Sequence, residues 1–111
     1  MDSVHKKILL AHATGVDMIH TCEIIRIEAI SNYSKLYFSN GKTLVVAKVL
    51  KWVDFKLEPA GFIRIHRSHL INLSAIVSVT QNSVHLVSLE QIVISKRKKI
   101  TCLQKLRSLA A

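Results

Sequence analysis

The chain has 111 residues, enough for one domain with a modest core but too few for a second core of useful size. Half of the residues are apolar, yet no apolar run approaches the roughly 18 residues of a membrane span. The start, MDSVHKKILL, lacks the small-residue cleavage site of a signal peptide. We therefore expect a cytoplasmic protein that forms a single domain over residues 1–111, with its core at about residues 7–106.

The net charge is +9, from 16 Lys and Arg residues against 7 Asp and Glu residues. The excess is concentrated near the end of the chain, where residues 91–111 contain six basic residues and no acidic one. A concentrated positive field attracts polyanions, with nucleic acid the first candidate and an anionic membrane surface the second. A lysine-rich helix face that is merely solvated is the alternative.

The first half of the chain predicts strands. KKILLAH and VDMIH form two short apolar runs around Thr14-Gly15, and IIRIEAI alternates with the period of two that is typical of a strand. In SKLYFSNGKTLVVA, Asn40-Gly41 lies between two further runs and predicts a hairpin with a two-residue type I′ turn. That turn would pair Phe38 with Thr43 and Leu36 with Val45.

One helix is predicted next, before the sheet resumes. An i, i+3, i+4, i+7 pattern of apolar residues runs from Val46 to Leu57, with lysines on the other side and Pro59 and Gly61 beyond its end. From Phe62 onward, AIVSVTQ, SVHLVSL and QIVIS indicate three more short strands. The final segment spaces four apolar residues three apart, which predicts a short C-terminal helix: Ile100, Leu103, Leu106 and Leu109.

These elements predict a mainly β domain of small antiparallel sheets or a sandwich, with about eight to ten short strands, one amphipathic helix and a short C-terminal helix. The patterns of common enzymes are missing from the sequence, which has no GxSxG, no HExxH and only three glycines. His66 and His69 lack the accompanying Cys or carboxylate of a usual metal site. Cys22 and Cys102 stand alone in the sequence, and we expect both to be buried or half-buried thiols. We expect no enzyme, cofactor, metal or small-molecule substrate.

Residues 62–76, FIRIHRSHLINLSAI, place a cluster of polar and basic residues between two apolar runs. IEAISNYSKLYFSNGKT comes before this segment at the distance of a helix, and VISKRKK follows it. In combination and in this order, the three segments closely resemble the LytTR DNA-binding domain, the effector module at the C-terminus of many bacterial two-component response regulators. The resemblance covers the chain from about Lys7 to Leu106.

The resemblance implies a mainly β fold whose loops, rather than an inserted recognition helix, enter successive major grooves of duplex DNA. Such domains are transcription regulators that bind paired sites, typically as dimers, and this one would be associated with the bacterial nucleoid when bound. Three groups of residues are implied to contact DNA, with Ser34 and Lys35 foremost in the first: Asn32, Tyr33, Ser34 and Lys35; His66, Arg67 and Ser68; Lys96, Arg97, Lys98 and Lys99.

The chemistry of these side chains assigns them different tasks. A planar guanidinium can donate two hydrogen bonds to the O6 and N7 atoms of guanine, so Arg67 and Arg97 are suited to reading bases. Lysines act better as point charges on phosphates, which fix the position of a protein on DNA. Arg64 and Asn72 have competing interpretations, the first as the solvated side of a strand and the second as a structural residue at a sharp turn.

Two other functions remain open. A single-stranded nucleic-acid or RNA-binding β-module would need exposed aromatic platforms, for which only Tyr33 and Tyr37 are candidates. A polybasic module that docks on acidic protein or membrane would use KRKK, residues 96–99. The chain contains no receiver domain, so it is either the effector part of a longer regulator, as its start just before KKILL suggests, or a stand-alone DNA-binding protein.

Overall fold

The computed structural model describes residues 6–110. In this part of the chain, ten strands and two helices confirm the predicted mainly β fold. The strands are β1 (Lys7–His12), β2 (Gly15–His20), β3 (Ile24–Ile30), β4 (Tyr33–Phe38), β5 (Thr43–Val46), β6 (Phe62–His66), β7 (His69–Asn72), β8 (Ile76–Val79), β9 (Ser83–Leu86) and β10 (Gln91–Val93). The helices are α1 (Leu50–Leu57) and α2 (Lys99–Ser108).

The strands form three antiparallel sheets. The central sheet has the order β5-β4-β3-β7-β6, and two smaller sheets have the orders β1-β2 and β10-β9-β8. Side chains from successive strand positions enter opposite faces, so both faces of the central sheet can be covered. No helix of the described part is long and apolar enough to cross a membrane.

Each face of the central sheet has its own apolar core. On one face, α1 and the β1-β2 sheet cover a cluster that includes Ile27, Leu36 and Leu70, all fully buried. On the other face, the β8–β10 sheet and α2 cover a cluster that includes Ile65, Ile71 and Val84. Adjacent residues of β7 therefore belong to different cores, which explains the continuous apolar run in this strand.

An ion pair joins the two sheets on the second face. Arg26 in β3 is only 7% exposed and donates to both carboxylate oxygens of Glu90, at 3.0 and 2.7 Å. The ring of Tyr37 lies 3.7 Å from the guanidinium carbon, in cation–π geometry. The hydrogen bond from Arg26 lowers the pKa of the Glu90 carboxyl. A pair 64 residues apart in sequence thus fastens the turn before β10 to the central sheet.

The β4–β5 hairpin differs from the prediction by one residue of register. Leu36 pairs with Leu44 and Tyr37 with Thr43, so the predicted pairs of Phe38 with Thr43 and Leu36 with Val45 are wrong. The amide of Phe38 donates to the carbonyl of Lys42, and Gly41 takes a φ of 87°. Phe38 and Lys42 therefore close a loop of three residues, 39–41, and the left-handed glycine is the last of them, as in a bulged hairpin.

Both helices are positioned by fewer apolar residues than the sequence pattern predicts. Val46 belongs to β5, and α1 begins only at Leu50, so this helix has just over two turns. In α2, Cys102 is buried and Leu103 and Leu106 pack beside it, while Ile100 is 72% exposed and Leu109, one residue beyond the helix, is 60% exposed. Residues three apart drift around a helix of 3.6 residues per turn, so four of them cannot share one face.

The two cysteines lie in different environments. Cys102 is buried as predicted, and burial raises the pKa of its thiol. Cys22 is exposed, so the prediction of a buried or half-buried thiol is wrong there. It occupies a single 3-10 turn, residues 21–23, between β2 and β3, where its side chain faces away from the core.

Candidate nucleic-acid interface

Three segments that are distant in the sequence meet at one end of the central sheet. The turn between β3 and β4 and the turn between β6 and β7 lie side by side, because the amide of Ala29 donates to the carbonyl of Ser68 at 2.9 Å. The segment after β10 joins them, since the amide of Ser95 donates to the carbonyl of Ile65 at 2.9 Å. We call this edge of the molecule the turn end.

A basic cleft opens at the turn end between two of these segments. Its volume is about 640 Å³. Six residues line it, of which the three arginines and the lysine are cationic and none is a carboxylate: Arg64, His66, Arg67, Ser95, Arg97 and Lys98. Arg67 and Arg97, which the sequence assigns to the same task, therefore face the same space. Four cations around one open space repel one another unless an anion enters it.

The side chain of Arg64 shapes the turn that carries Arg67. Its Nη2 atom donates to the carbonyl oxygen of Arg67, and its Nε atom donates to that of His66 at 3.4 Å. The guanidinium thus satisfies two carbonyls of the turn while remaining in the cleft. The position of Arg64 depends on a register shift between residues 64 and 66, which no sequence pattern indicates.

The segment from Ser95 to Lys98 leads directly into α2. The amide of Lys98 donates to the carbonyl and the hydroxyl of Ser95, at 3.1 and 3.2 Å. Lys98 is the residue before the first turn of α2, a turn that contains no acidic residue. The positive end of a helix dipole favours anions and disfavours cations by about 0.3–1 kcal/mol each. Basic residues at this end are unfavourable by themselves and become favourable when an anion binds.

The basic residues of this segment do not all line the cleft. Lys96 and Arg97 are exposed. The ammonium of Lys99 donates to the side-chain oxygen of Asn82 at 2.6 Å, in the turn between β8 and β9. Lys99 is therefore held away from the cleft, although the sequence groups it with its neighbours.

The turn between β3 and β4 contributes exposed groups and one buried one. Asn32 is exposed and Tyr33 is 49% exposed, while Lys35 is half-buried with its ammonium 5.2 Å from the ring centre of Tyr37. Ser34 is 0% exposed, and its hydroxyl donates to the carbonyl of Lys48 at 2.7 Å. The expected contact between Ser34 and DNA does not fit this burial, because the hydroxyl is enclosed and already paired.

The two histidines of the central segment lie against each other, with ring centres 5.1 Å apart. The Nδ1 atom of His66 accepts a hydrogen bond from the amide of Ser68 at 3.0 Å, which fixes the ring at the lip of the cleft. Within residues 6–110, no hydrogen-bond donor or acceptor meets the buried Nδ1 atom of His69. Burial, followed by the charge of His66, lowers the pKa of His69.

Asn72 has the structural role that competed with a functional one. It is buried, its amide nitrogen donates to the carbonyl of Ile24 at 2.8 Å, and its side-chain oxygen accepts from the amide and hydroxyl of Ser74. These bonds join β7 to β3 and cap the turn that follows, so the structural interpretation is confirmed.

No group of three or more His, Cys, Asp or Glu side chains that could hold a metal occurs within residues 6–110.

The fold and the cleft define a small β domain with a cationic surface built from loops. Residues 15–107 match the model of the family described as the LytTr DNA-binding domain, and the chain therefore belongs to the LytTR family. This membership makes it a DNA-binding domain of transcription regulation, and it confirms the family resemblance found in the sequence.

A solved structure has the same fold. The chain is similar to the LytTr DNA-binding domain of a protein from Bacillus cereus described as a methyl-accepting/DNA response regulator, with a TM-score of 0.73 and 18% sequence identity. The match covers 93% of this chain and 97% of the other. No curated protein sequence matches the chain.

Proposed function

We propose that this domain binds a defined sequence of duplex DNA through the major groove and serves as the output domain of a bacterial response regulator. The observation that carries the proposal is the basic cleft, where Arg67 and Arg97 share one space beside the exposed turn of Asn32 and Tyr33. Loops that project from one end of a rigid sheet can enter a groove about 12 Å wide. Domains on paired sites would bind as a homodimer, each contacting its own grooves.

The side chains divide between base reading and phosphate binding. Arg67 and Arg97 present planar guanidinium groups that can pair with guanine, and we assign base reading to them. Lys96 and Lys98 are assigned to phosphates, together with the positive end of α2. Arg64 supports this division, because its bonds to two carbonyls hold the backbone of the turn that carries Arg67.

The alternative of a single-stranded nucleic-acid or RNA module is less well supported. Such modules need free aromatic faces on which bases stack. One face of Tyr37 is covered by Arg26 at 3.7 Å, and its hydroxyl donates to Glu28 at 2.8 Å. Tyr33 is then the one remaining candidate of the two that the sequence offers.

Selection from mixed pools of random duplex and single-stranded DNA, at several salt concentrations, tests the proposal. We expect enrichment of a duplex motif and an affinity that falls steeply with salt, because cations are released from neutralised phosphates. Equal binding to all duplexes, a preference for single strands, or binding to acidic vesicles with similar affinity would contradict it.

Two substitutions test the assigned roles. Arg67→Ala should reduce affinity for the selected duplex by about 1–3 kcal/mol and relax the preference at one base pair. Lys98→Ala should weaken binding to all duplexes about evenly and make the salt dependence less steep. If the two variants had the same profile across sequences, the division of roles would be wrong.

A further inference from the structure

The buried hydroxyl of Ser34 bonds to the backbone of Lys48, two residues before α1 begins. Ser34 pairs with Val46 in the β4–β5 ladder, and its hydroxyl donates to the carbonyl of Lys48 two residues further on, at 2.7 Å. Ser34 also pairs with Ala29, whose amide is bonded to the turn that carries Arg67. One hydroxyl therefore fixes the backbone of Lys48 at the turn end.

The side chain of Lys48 is exposed and carries an unneutralised charge. Its ammonium lies 4.9 Å from the ring centre of Trp52, which directs the side chain along α1 without removing its charge. Within residues 6–110, the carboxylates that form ion pairs are Asp17, Glu28 and Glu90, and none of them pairs with Lys48.

Lys56 provides a natural comparison beside the same tryptophan ring. Its ammonium lies 5.5 Å from the same Trp52 ring, and its side chain is exposed. Lys56 belongs to α1, whereas Lys48 precedes the first residue of this helix by two positions. Lys48 lies at the turn end, whereas Lys56 lies near Pro59 and Ala60 at the opposite end of α1. The backbones of the two lysines thus lie toward opposite ends of α1, and only that of Lys48 is bonded to the strand that starts at the turn end.

We propose that Lys48 is a further DNA contact of this domain, binding a phosphate of the duplex, with Ser34 as its positioning residue. The inference rests on the proposed binding of duplex DNA and extends that surface from the basic cleft to the start of α1. It also gives Ser34 a role at the interface that its burial permits, since the hydroxyl acts through the backbone of Lys48.

The affinity for the selected duplex, measured by fluorescence anisotropy over a range of salt, tests this inference. Lys48→Ala should weaken binding to every duplex and reduce the slope of log K against log salt by about 0.9, the value for one phosphate contact. Lys56→Ala should leave both quantities at the wild-type values. Lys48→Arg keeps the charge and should restore the slope.

A double-mutant cycle separates positioning by Ser34 from a general loss of stability. Ser34→Ala should reduce the salt slope in the wild-type background and leave it unchanged in the Lys48→Ala background. A purely structural effect would weaken binding equally in both backgrounds. Circular dichroism of each variant identifies any that do not fold, and the comparison of Lys48→Ala with Lys56→Ala still decides because both lysines are exposed.

The outcomes distinguish this inference from the proposed function. If the wild-type domain selects a duplex but Lys48→Ala behaves as Lys56→Ala does, the contact by Lys48 is refuted and the cleft remains the interface. If both lysine variants reduce the slope equally, the effect reflects overall charge and the inference is also refuted. If the wild-type domain selects no duplex, the proposed function itself fails.

Discussion

Replacing Glu90 by Gln removes the negative charge that Arg26 meets between the two sheets, while it preserves the shape of the side chain. Hydrogen bonds to charged groups contribute about 1.5–3 kcal/mol, and breaking a fully buried pair costs about 3–5 kcal/mol. Here the Arg26 side chain is 9% exposed but that of Glu90 is 39% exposed, so solvent screens part of the interaction. Glu28, 3.8 Å from Arg26, retains a second negative charge. We therefore expect Glu90→Gln to lower the free energy of unfolding by about 2 kcal/mol.

Urea unfolding followed by circular dichroism measures this loss, with Glu58→Gln as a control for an exposed carboxylate outside the ion pairs of residues 6–110. The folded-state pKa of Glu90 is lowered, so its stabilisation is complete above its unfolded pKa of about 4.3 and is lost as the pH falls through the folded value. The difference between wild type and Glu90→Gln should therefore shrink between neutral pH and about pH 3. A loss below about 0.5 kcal/mol at neutral pH, or a difference that does not depend on pH, would refute the reasoning.

Two further predictions concern stability. Leu89 has a φ of 72° and is 95% exposed, so Leu89→Gly should relieve left-handed strain with little loss of packing and raise the free energy of unfolding by about 0.5–1 kcal/mol, after the entropy that glycine gains in the unfolded chain. Leu89→Ala keeps a Cβ atom and should bring no such gain. The lowered pKa of His69 means that the unfolded chain binds a proton more readily, so stability should fall as the pH drops below about 6.5, and His69→Gln should flatten this dependence.

Calorimetric melting or urea unfolding of the variants measures the stability changes in both predictions. Equal stability of Leu89→Gly and Leu89→Ala would mean that the backbone at Leu89 carries no strain. An unchanged pH dependence in His69→Gln would assign the loss of stability at low pH to other groups.

The strands could be predicted because their apolar periodicity is local. IIRIEAI indicates β3, and the run around Asn40-Gly41 indicates a hairpin, but the register depends on whether two or three residues form the loop. Both loops suit Asn-Gly, since each uses the positive φ that Gly41 tolerates. The one-residue error follows from this ambiguity.

The burial of Ser34 could have been found from the same periodicity. Leu36 and Ser34 are two residues apart, so they share a face of β4, and Leu36 is a core residue. A polar residue on the core face needs an internal partner, which here is the carbonyl of Lys48. The family resemblance indicated a place in the interface for Ser34 without showing which way its side chain points.

The roles of Arg64 and Arg26 could not be predicted from the sequence. The bonds of Arg64 to the turn depend on the register shift in β6, and the pair between Arg26 and Glu90 joins residues 64 apart. Both depend on tertiary packing, which brings distant side chains together after the local elements have formed.

A titration of the isotope-labelled domain with its selected duplex, followed by amide chemical shifts in NMR spectra, tests the central proposal most directly. We expect the largest changes around Asn32 and Tyr33, around Arg67, and in the segment from Ser95 to Lys98, with little change in the turn at Asn40-Gly41 at the opposite end of the sheet. Changes concentrated at that opposite turn or on the β1-β2 sheet, with the basic cleft unaffected, would contradict it.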